Sequence, residues 1–445
     1  MTTNTPKDIA GTDYPLGTLH ILISELSERY SFYGMKAILV VFMTTYLRNE
    51  QGILDTMSEP EALMYHNLFH FLVYSTPIVG AILSDAYCGK YRSIIFFSIV
   101  CCLGHLALSL DETRLGLIYG MVLIGIGAGG MKPCLNAYVG DQFTKDNQHL
   151  MSKTYVYFYQ SVNIGALLSS LLCPLILAYY RPSIAFAVPG IIMLFSTFIF
   201  IKGSKYYIHK QATKGILKLC HRFYYKKTPF KIILPIFIYS TIIGLLMAES
   251  ASSWVMQAQK LNPYVFGYLW LPSQTGAFNS IACIAGAPLL DLIIFPFLSP
   301  QKELSKQKKI MIGFIFSSCS VLIILCLQWA LEYGYKPSIA WHILPHSFLA
   351  ISELCVLVTA INYTYIVSDK HLKTIYSALF LFTLGCGAPV SAMMRNLKWS
   401  NGDFIFSLPT YFLILCILQW MCVGNLLKKL AFIPDETAKK WLKHA

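Results

Sequence analysis

Apolar residues occur in twelve long blocks that short polar segments separate. A helix needs roughly 20 mostly apolar residues to cross the hydrocarbon of a bilayer. Lipid offers the backbone no hydrogen-bond partner, so helices are the expected structure for such blocks. We therefore predict twelve spanning helices, at about residues 19–47, 63–84, 92–110, 115–137, 154–178, 183–202, 232–256, 266–296, 310–331, 341–367, 373–394 and 404–427.

Composition supports a membrane protein rather than a water-soluble one. Of the 445 residues, 56% are hydrophobic and 13% are charged, whereas a soluble domain carries roughly 25% charged residues. A soluble fold could not cover its surface with so few polar groups. The fold class we predict is an all-α membrane protein whose partner is the lipid bilayer.

The formal net charge of +13 comes from the loops. Residues 202–231 contain nine Lys or Arg and no acid, while the loop at 48–61 is acidic. Basic loops stay in the cytoplasm, so this charge does not indicate nucleic-acid binding. We expect both termini to be cytoplasmic. The domains predicted are a six-helix bundle at 1–202, a basic linker at 203–231, and a second six-helix bundle with a short tail at 232–445. Repeated halves of this kind are typical of secondary transporters.

Ionisable residues lie inside the predicted spans, where they are costly and therefore indicate function. In the first span, Glu25, Glu28 and Arg29 share one helix face. Such a face should point at a water-filled cavity or at a partner charge. The fourth span carries Lys132 after a run of glycines that allow close helix packing. Glu353 in the tenth span is its predicted counter-charge.

Proton coupling is predicted for Glu25, Glu28 and Arg29. The two carboxylates are three residues apart and repel each other, and burial disfavours their charged forms. Arg29 opposes both effects. The balance should change when the cavity opens to the other side, because solvation and the distance to Arg29 both change.

At this point the residues resemble a known family, the proton-coupled oligopeptide transporters of the major facilitator superfamily. The resemblance covers most of the chain. Its motifs are E-x-x-E-R-x-x-x-Y-G at 25–34, GAILSDAYCGKYRS at 80–93, GAGGMKPCLNAYVGDQF at 127–143, YFYQSVNIGAL at 157–167, APLLDLIIFP at 287–296 and SELCVLVTAINYTY at 352–365.

The resemblance implies a major facilitator fold with a peptide site and a proton path. Binding of the peptide carboxylate falls to Arg29 and Lys132, and binding of its amino group to Glu353, Asn163 and Asn279. Tyr33 and Tyr159 are expected to line the pocket, and Glu249 to join the proton-coupling residues. Asp85 and Arg92 are the expected gating residues on the cytoplasmic side.

The function implied is import of di- and tripeptides with protons by alternating access. No cofactor besides the coupling proton, no metal, no nucleic acid and no enzymatic reaction are expected. We expect a monomer in the plasma membrane. Alternatives are a carrier for nitrate, an amino acid or another small solute on the same scaffold, a nutrient receptor that does not transport, and a membrane enzyme.

The first testable prediction is that the 202–231 segment faces the cytoplasm. A cysteine placed there, in a background without reactive native cysteines, should resist an impermeant thiol reagent on intact cells. The same reagent should label a cysteine placed in the acidic 48–61 loop. Efficient labelling of the basic segment from outside would overturn the orientation.

Overall fold

The computed structural model describes residues 14–144, 146–210, 212, 230–299, 304–367, 373–397 and 405–430. Each of the twelve predicted spans contains a helix, which confirms the all-α membrane fold. Ten of the described helical segments are long and apolar enough to cross a membrane. The segment Gly17–Thr45 has ample length but carries four charged residues, Glu25, Glu28, Arg29 and Lys36.

The described residues of the first half form seven α-helices. They are α1 Gly17–Thr45, α2 Glu59–Ser75, α3 Pro77–Leu83, α4 Lys90–Leu110, α5 Arg114–Asp141, α6 Met151–Tyr179 and α7 Pro182–Lys202. Pro77 begins α3, where a missing backbone N–H costs least. The second predicted span is therefore two helices in sequence, α2 and α3.

The described residues of the second half form eight α-helices and one small hairpin. They are α8 Phe230–Ser250, α9 Ser253–Lys260, β1 Tyr264–Val265, β2 Tyr268–Leu269, α10 Gly276–Leu289, α11 Phe295–Leu298, α12 Lys306–Glu332, α13 Ile343–Val367, α14 Lys373–Asn396 and α15 Leu408–Leu430. The predicted start of the eighth span at residue 266 is wrong, because the hairpin occupies 264–269 and the span begins with a 3-10 turn at Pro272–Thr275.

Contacts divide the chain into two compact units. One comprises Met1–Met57 and Leu72–Tyr225, and the other comprises Ser58–Phe71 and Lys226–Ala445. Helix α2 is therefore shared, since its first residues group with the second unit and its last residues with the first. The proposed division at 203–231 places all of α2 in the first bundle.

Glycines bring the helices of the first unit into backbone contact. A Cβ at Gly80 of α3 would collide with the carbonyl group of Gly130 in α5. A Cβ at Gly127 would lie 2.6 Å from the backbone nitrogen of Cys101 in α4. The predicted role of the glycine run, close approach of neighbouring helices, is confirmed.

The second unit has a hydrophobic core of large side chains. Trp254, Ile324, Leu349, Tyr411 and Phe412 are all buried in one cluster. This cluster ties α9 to α12, α13 and α15. It therefore fixes the end of α8 and the start of α9, where a buried acid lies.

A π-helical turn follows an apolar helix in each unit. One turn spans Ser84–Cys88 after α3, and the other spans Leu290–Ile294 after α10. Both turns have aspartate as their second residue, Asp85 and Asp291. The preceding residues match as well, since GAILSD at 80–85 corresponds to GAPLLD at 286–291.

The second testable prediction concerns the contact between α3 and α5. Gly80→Ala should destabilise the protein by about 1–3 kcal/mol, because overpacking forces the two backbones apart. Gly424 of α15 has no atom within 4 Å of a built Cβ, so Gly424→Ala is the matched control and should be neutral or slightly stabilising. The measurement is the thermal unfolding midpoint of the purified proteins. Equal midpoints for both variants would contradict the contact.

Candidate functional site

Helix α1 holds a buried cluster of three charges. Glu25, Glu28 and Arg29 are each 5% exposed or less. The Nε atom of Arg29 lies 3.0 Å from Oε1 of Glu25, and the same guanidinium also pairs with Glu28. The spacing of three and four residues placed these groups on one face, as the sequence predicted. Both carboxylates therefore share one guanidinium.

Lys132 of α5 lies beside this cluster but is held differently. Its Nζ atom lies 4.7 Å from the centre of the Phe32 ring and 4.4 Å from the centre of the Tyr74 ring. The guanidinium of Arg29 also lies over Phe32, at 5.8 Å. Among the described residues, Lys132 makes no ion pair within 4 Å. Aromatic faces stabilise a cation less than a carboxylate does, so this ammonium can still accept an anionic ligand.

Helix α6 brings two predicted residues towards α1. A Cβ at Gly165 would collide with the carbonyl oxygen of Leu26 and would lie 3.1 Å from Cβ of Arg29. Asn163, two residues earlier, is buried and donates from Nδ2 to the carbonyl oxygen of Tyr159 at 3.0 Å. That bond within one helix leaves the amide oxygen of Asn163 as an acceptor.

The tyrosines predicted to line the pocket are both half-buried. Tyr33 follows Phe32 on α1, and their ring centres are 5.3 Å apart. Tyr159 lies one turn before Asn163 on α6. Both can therefore present a ring and a hydroxyl group to a small molecule.

Two predicted residues of the second unit meet each other. Nδ2 of Asn279 in α10 donates to Oε1 of Glu353 in α13 at 3.4 Å, and both side chains are half-buried. A Cβ at Gly286, two turns further along α10, would lie 3.1 Å from Leu354. The two helices therefore pack closely, and they hold Asn279 and Glu353 together. The predicted pairing of Glu353 with Lys132 joins residues of different units and stays a prediction.

Glu249, at the end of α8, is fully buried and surrounded by donors of the same unit. Its carboxylate accepts hydrogen bonds from the hydroxyl groups of Ser253 and Ser391, and from Tyr411 at 2.9 Å. Nη1 of Arg395 donates to it at 3.4 Å. The acid is therefore compensated inside the second unit.

Sequence reasoning missed these partners of Glu249. Arg395 is one residue beyond the predicted end of its span at 394 and was not among the candidate residues. The structure extends α14 to Asn396 and leaves the Arg395 side chain only 12% exposed. The available signal was an arginine directly at the end of the apolar block, next to Asn396. Tyr411 and Ser391 carry no charge, so nothing in the sequence marked them as partners of Glu249.

No ion pair joins the two predicted gating residues within the described part of the chain. Asp85 accepts from the hydroxyl of Ser84 at 3.3 Å, and Arg92 is exposed. The acid that forms ion pairs near these residues is Asp141, at the end of α5. It binds Lys90 at 2.6 Å and Lys210 at 2.8 Å.

The segment after α7 docks against the ends of α4 and α5. Gln142 accepts from the backbone nitrogen of Ile208 at 2.9 Å. Tyr207 packs edge-on against Tyr138 at 5.4 Å, and burial raises the pKa of Tyr207 above its usual range. The hydroxyl of Tyr138 lies 3.2 Å from Nδ1 of His209. The first residues of the basic linker are therefore part of the first unit.

The chain is similar to known proteins of one family. The family model described as the POT family matches residues 91–228 and 226–402. Solute carrier family 15 member 2 of Mus musculus is 30% identical over 365 residues, which cover 71% of this chain and 49% of that protein. Peptide transporter family 1 of Drosophila melanogaster is 28% identical and covers 72% of this chain and 48% of that protein. This chain spans about half the length of the curated relatives it matches.

Solved structures share the fold. The crystal structure of the POT family transporter PepTSo is 22% identical, has a TM-score of 0.83, and covers 95% of this chain and 100% of its own. A POT family transporter in complex with 5-aminolevulinic acid is 20% identical, has a TM-score of 0.79, and covers 94% of this chain and 96% of its own.

The third testable prediction concerns Glu249 and Arg395. Arg395→Met should lower the free energy of unfolding by about 2 kcal/mol, because it leaves a buried carboxylate with hydroxyl donors alone. The double variant Arg395→Met/Glu249→Gln should recover part of this loss, since no charge remains. Arg181→Met, at an exposed arginine, is the control. Thermal unfolding of the purified variants measures the effect, and a double variant less stable than the single one would argue against the pair.

Proposed function

Because the chain belongs to the POT family, we propose that it is a proton-coupled symporter that imports di- and tripeptides by alternating access. The observation that carries the proposal is the environment of Lys132. Its half-buried ammonium lies over two aromatic rings and makes no ion pair within 4 Å in the described residues. A cation held in this way has capacity for a substrate carboxylate. The relatives named peptide transporters support a peptide as that substrate.

A short peptide is a zwitterion whose end charges are fixed while its side chains vary. We assign its carboxylate to Lys132, with Arg29 adding positive potential. We assign its amino group to Glu353, supported by Asn279 and by the amide oxygen of Asn163. Recognition of the two ends and the backbone gives affinity for many peptides, because no contact depends on the side chains.

Arg29 is the weaker of the two cations for substrate. Its guanidinium already binds Glu25 and Glu28, so those carboxylates compete with an incoming one. A proton on either glutamate would remove one competitor and free part of the guanidinium. Protonation and peptide binding would then favour each other, which is the thermodynamic requirement for symport.

The proton motive force supplies the drive for accumulation. A membrane potential contributes about 2.3 kcal/mol per charge for each 100 mV. The orientation that fits this drive has the basic linker and both termini in the cytoplasm, in the plasma membrane. We propose that one chain suffices, since each charged cluster is completed by residues of its own unit.

The decisive experiment is flux in proteoliposomes that contain the purified chain. A dipeptide gradient should drive protons inward, as reported by a pH-sensitive dye in the lumen. Nitrate and single amino acids should not drive flux, and 5-aminolevulinic acid tests whether an amine and a carboxylate without a peptide bond suffice. Binding without flux would indicate a receptor, and flux with nitrate alone would indicate a different carrier.

The fourth testable prediction separates the two ends of the peptide. Lys132→Ala should abolish concentrative uptake while the protein still reaches the membrane, whereas Lys153→Ala, at an exposed lysine of α6, should retain it. Glu353→Gln should weaken uptake of peptides with a free amino terminus more than uptake of peptides with a blocked one. Equal loss for both peptide types would argue against Glu353 as the amine site.

The fifth testable prediction separates proton coupling from binding. Glu25→Gln and Glu28→Gln should lose pH-driven accumulation and retain exchange of labelled for unlabelled peptide, because exchange needs no net proton movement. Both activities are measured in the same proteoliposomes. If both variants accumulate peptide against a gradient with unchanged pH dependence, the glutamates serve only to hold Arg29.

A further inference from the structure

The hairpin at 264–269 carries an unusual outer surface. Its outward side chains are large and apolar or aromatic, and they are strongly exposed: Tyr264 is 59% exposed, Phe266 97%, Tyr268 76% and Leu269 49%. A water-facing hairpin would be expected to place polar residues there. Contiguous exposed apolar surface of this kind marks a contact with a partner or a membrane.

Two side chains seat the hairpin on the second unit. Val265 and Trp270 pack against a buried cluster of Ala258, Leu261 and Ile339. The backbone of Asn262 adds two hydrogen bonds, accepting from Ile339 and donating to Pro337. The hairpin is therefore held in place on the second unit. The cross-strand pair of Tyr264 and Leu269 projects from the face away from Val265.

The turn residue Phe266 is unfavourable in its place for two separate reasons. It has φ of 49° and is followed by Gly267 with φ of 83°, the left-handed pair that two-residue hairpins usually build from Asn-Gly. A bulky side chain rarely adopts this backbone conformation. The ring is also 97% exposed. An apolar environment around the ring would offset both costs.

The position and charge of the segment indicate what that environment is. The hairpin connects α9 to the span that begins at Pro272, so it lies at the height where the chain re-enters the bilayer. No charged residue occurs from 261 to 290. Aromatic residues without charge are characteristic of the interface between headgroups and acyl chains.

We propose that the 264–269 hairpin is an interfacial membrane anchor whose occupant is the bilayer itself. Phe266 inserts at the boundary of the acyl chains, and the hydroxyl groups of Tyr264 and Tyr268 lie among the lipid headgroups. The anchor holds the end of α9, and Ser253 at the start of α9 donates to Glu249. The lipid contact thereby steadies one donor of the buried acid.

A spin label at Phe266→Cys tests the anchor in phosphatidylcholine nanodiscs, in a background without Cys88, Cys220 and Cys326. The matched control is a label at Gln51→Cys, an exposed residue in the polar turn between α1 and α2. Collision with oxygen reports apolar surroundings, and collision with a nickel chelate reports water. We expect the oxygen-to-nickel ratio at 266 to be several-fold above that at 51. Equal ratios would overturn the proposal, as would protection from both reagents, which would mean that protein covers the hairpin.

A second measurement distinguishes insertion from a purely structural role of the ring. With the label at Tyr264→Cys, Phe266→Asn should shift the ratio towards water, although Asn suits the backbone conformation better than Phe. Phe266→Trp should keep the ratio high. If Phe266→Asn leaves the ratio unchanged, Phe266 does not insert and the anchor is wrong.

Discussion

A carboxylate removed from water must find a cation, a set of hydrogen-bond donors or a proton, and each unit of this protein meets that need in its own way. In the first unit Glu25 and Glu28 share the guanidinium of Arg29. In the second, Glu249 is surrounded by three hydroxyl donors and Arg395. A desolvated charge without such partners costs several kcal/mol, so loss of the partners would destabilise either unit.

The two arrangements differ in the helices that they connect. Three charges of the first cluster lie on one helix, so α1 carries its compensation with it whenever it moves. The compensation of Glu249 instead links α8, α14 and α15, and Asn67 of α2 adds a hydrogen bond to Ser391 at 3.1 Å. The first arrangement permits a change of protonation without a change of packing. The second resists helix motion, which fits a structural tie at least as well as the proton-coupling role predicted for Glu249.

The hydrophobic pattern predicted the helices well because a spanning helix is set by one dominant cost, that of exposed backbone in lipid. It failed at the hairpin, because the aromatic, uncharged residues at 264–269 satisfy the same hydropathy criterion while lying outside a helix. Helix spacing predicted that Glu25, Glu28 and Arg29 meet. The partners of Glu249 could not be predicted, because Ser391 and Tyr411 are far from Glu249 in the sequence and carry no charge. The pairing of Asp141 with Lys90 and Lys210 was not predicted either, because these residues lie far apart in the sequence.

The paired π turns carry information about the history of the chain. A π turn is the trace of one residue inserted into an α-helix, and here it occurs after the same G-A-x-L-x-D sequence in both halves. Two independent insertions at corresponding points, each beside an aspartate, would be a coincidence. An ancestral half that already possessed the insertion, and was then duplicated, explains both. The matching turns therefore indicate that the two halves descend from one repeated unit, as the internal repeats of secondary transporters do.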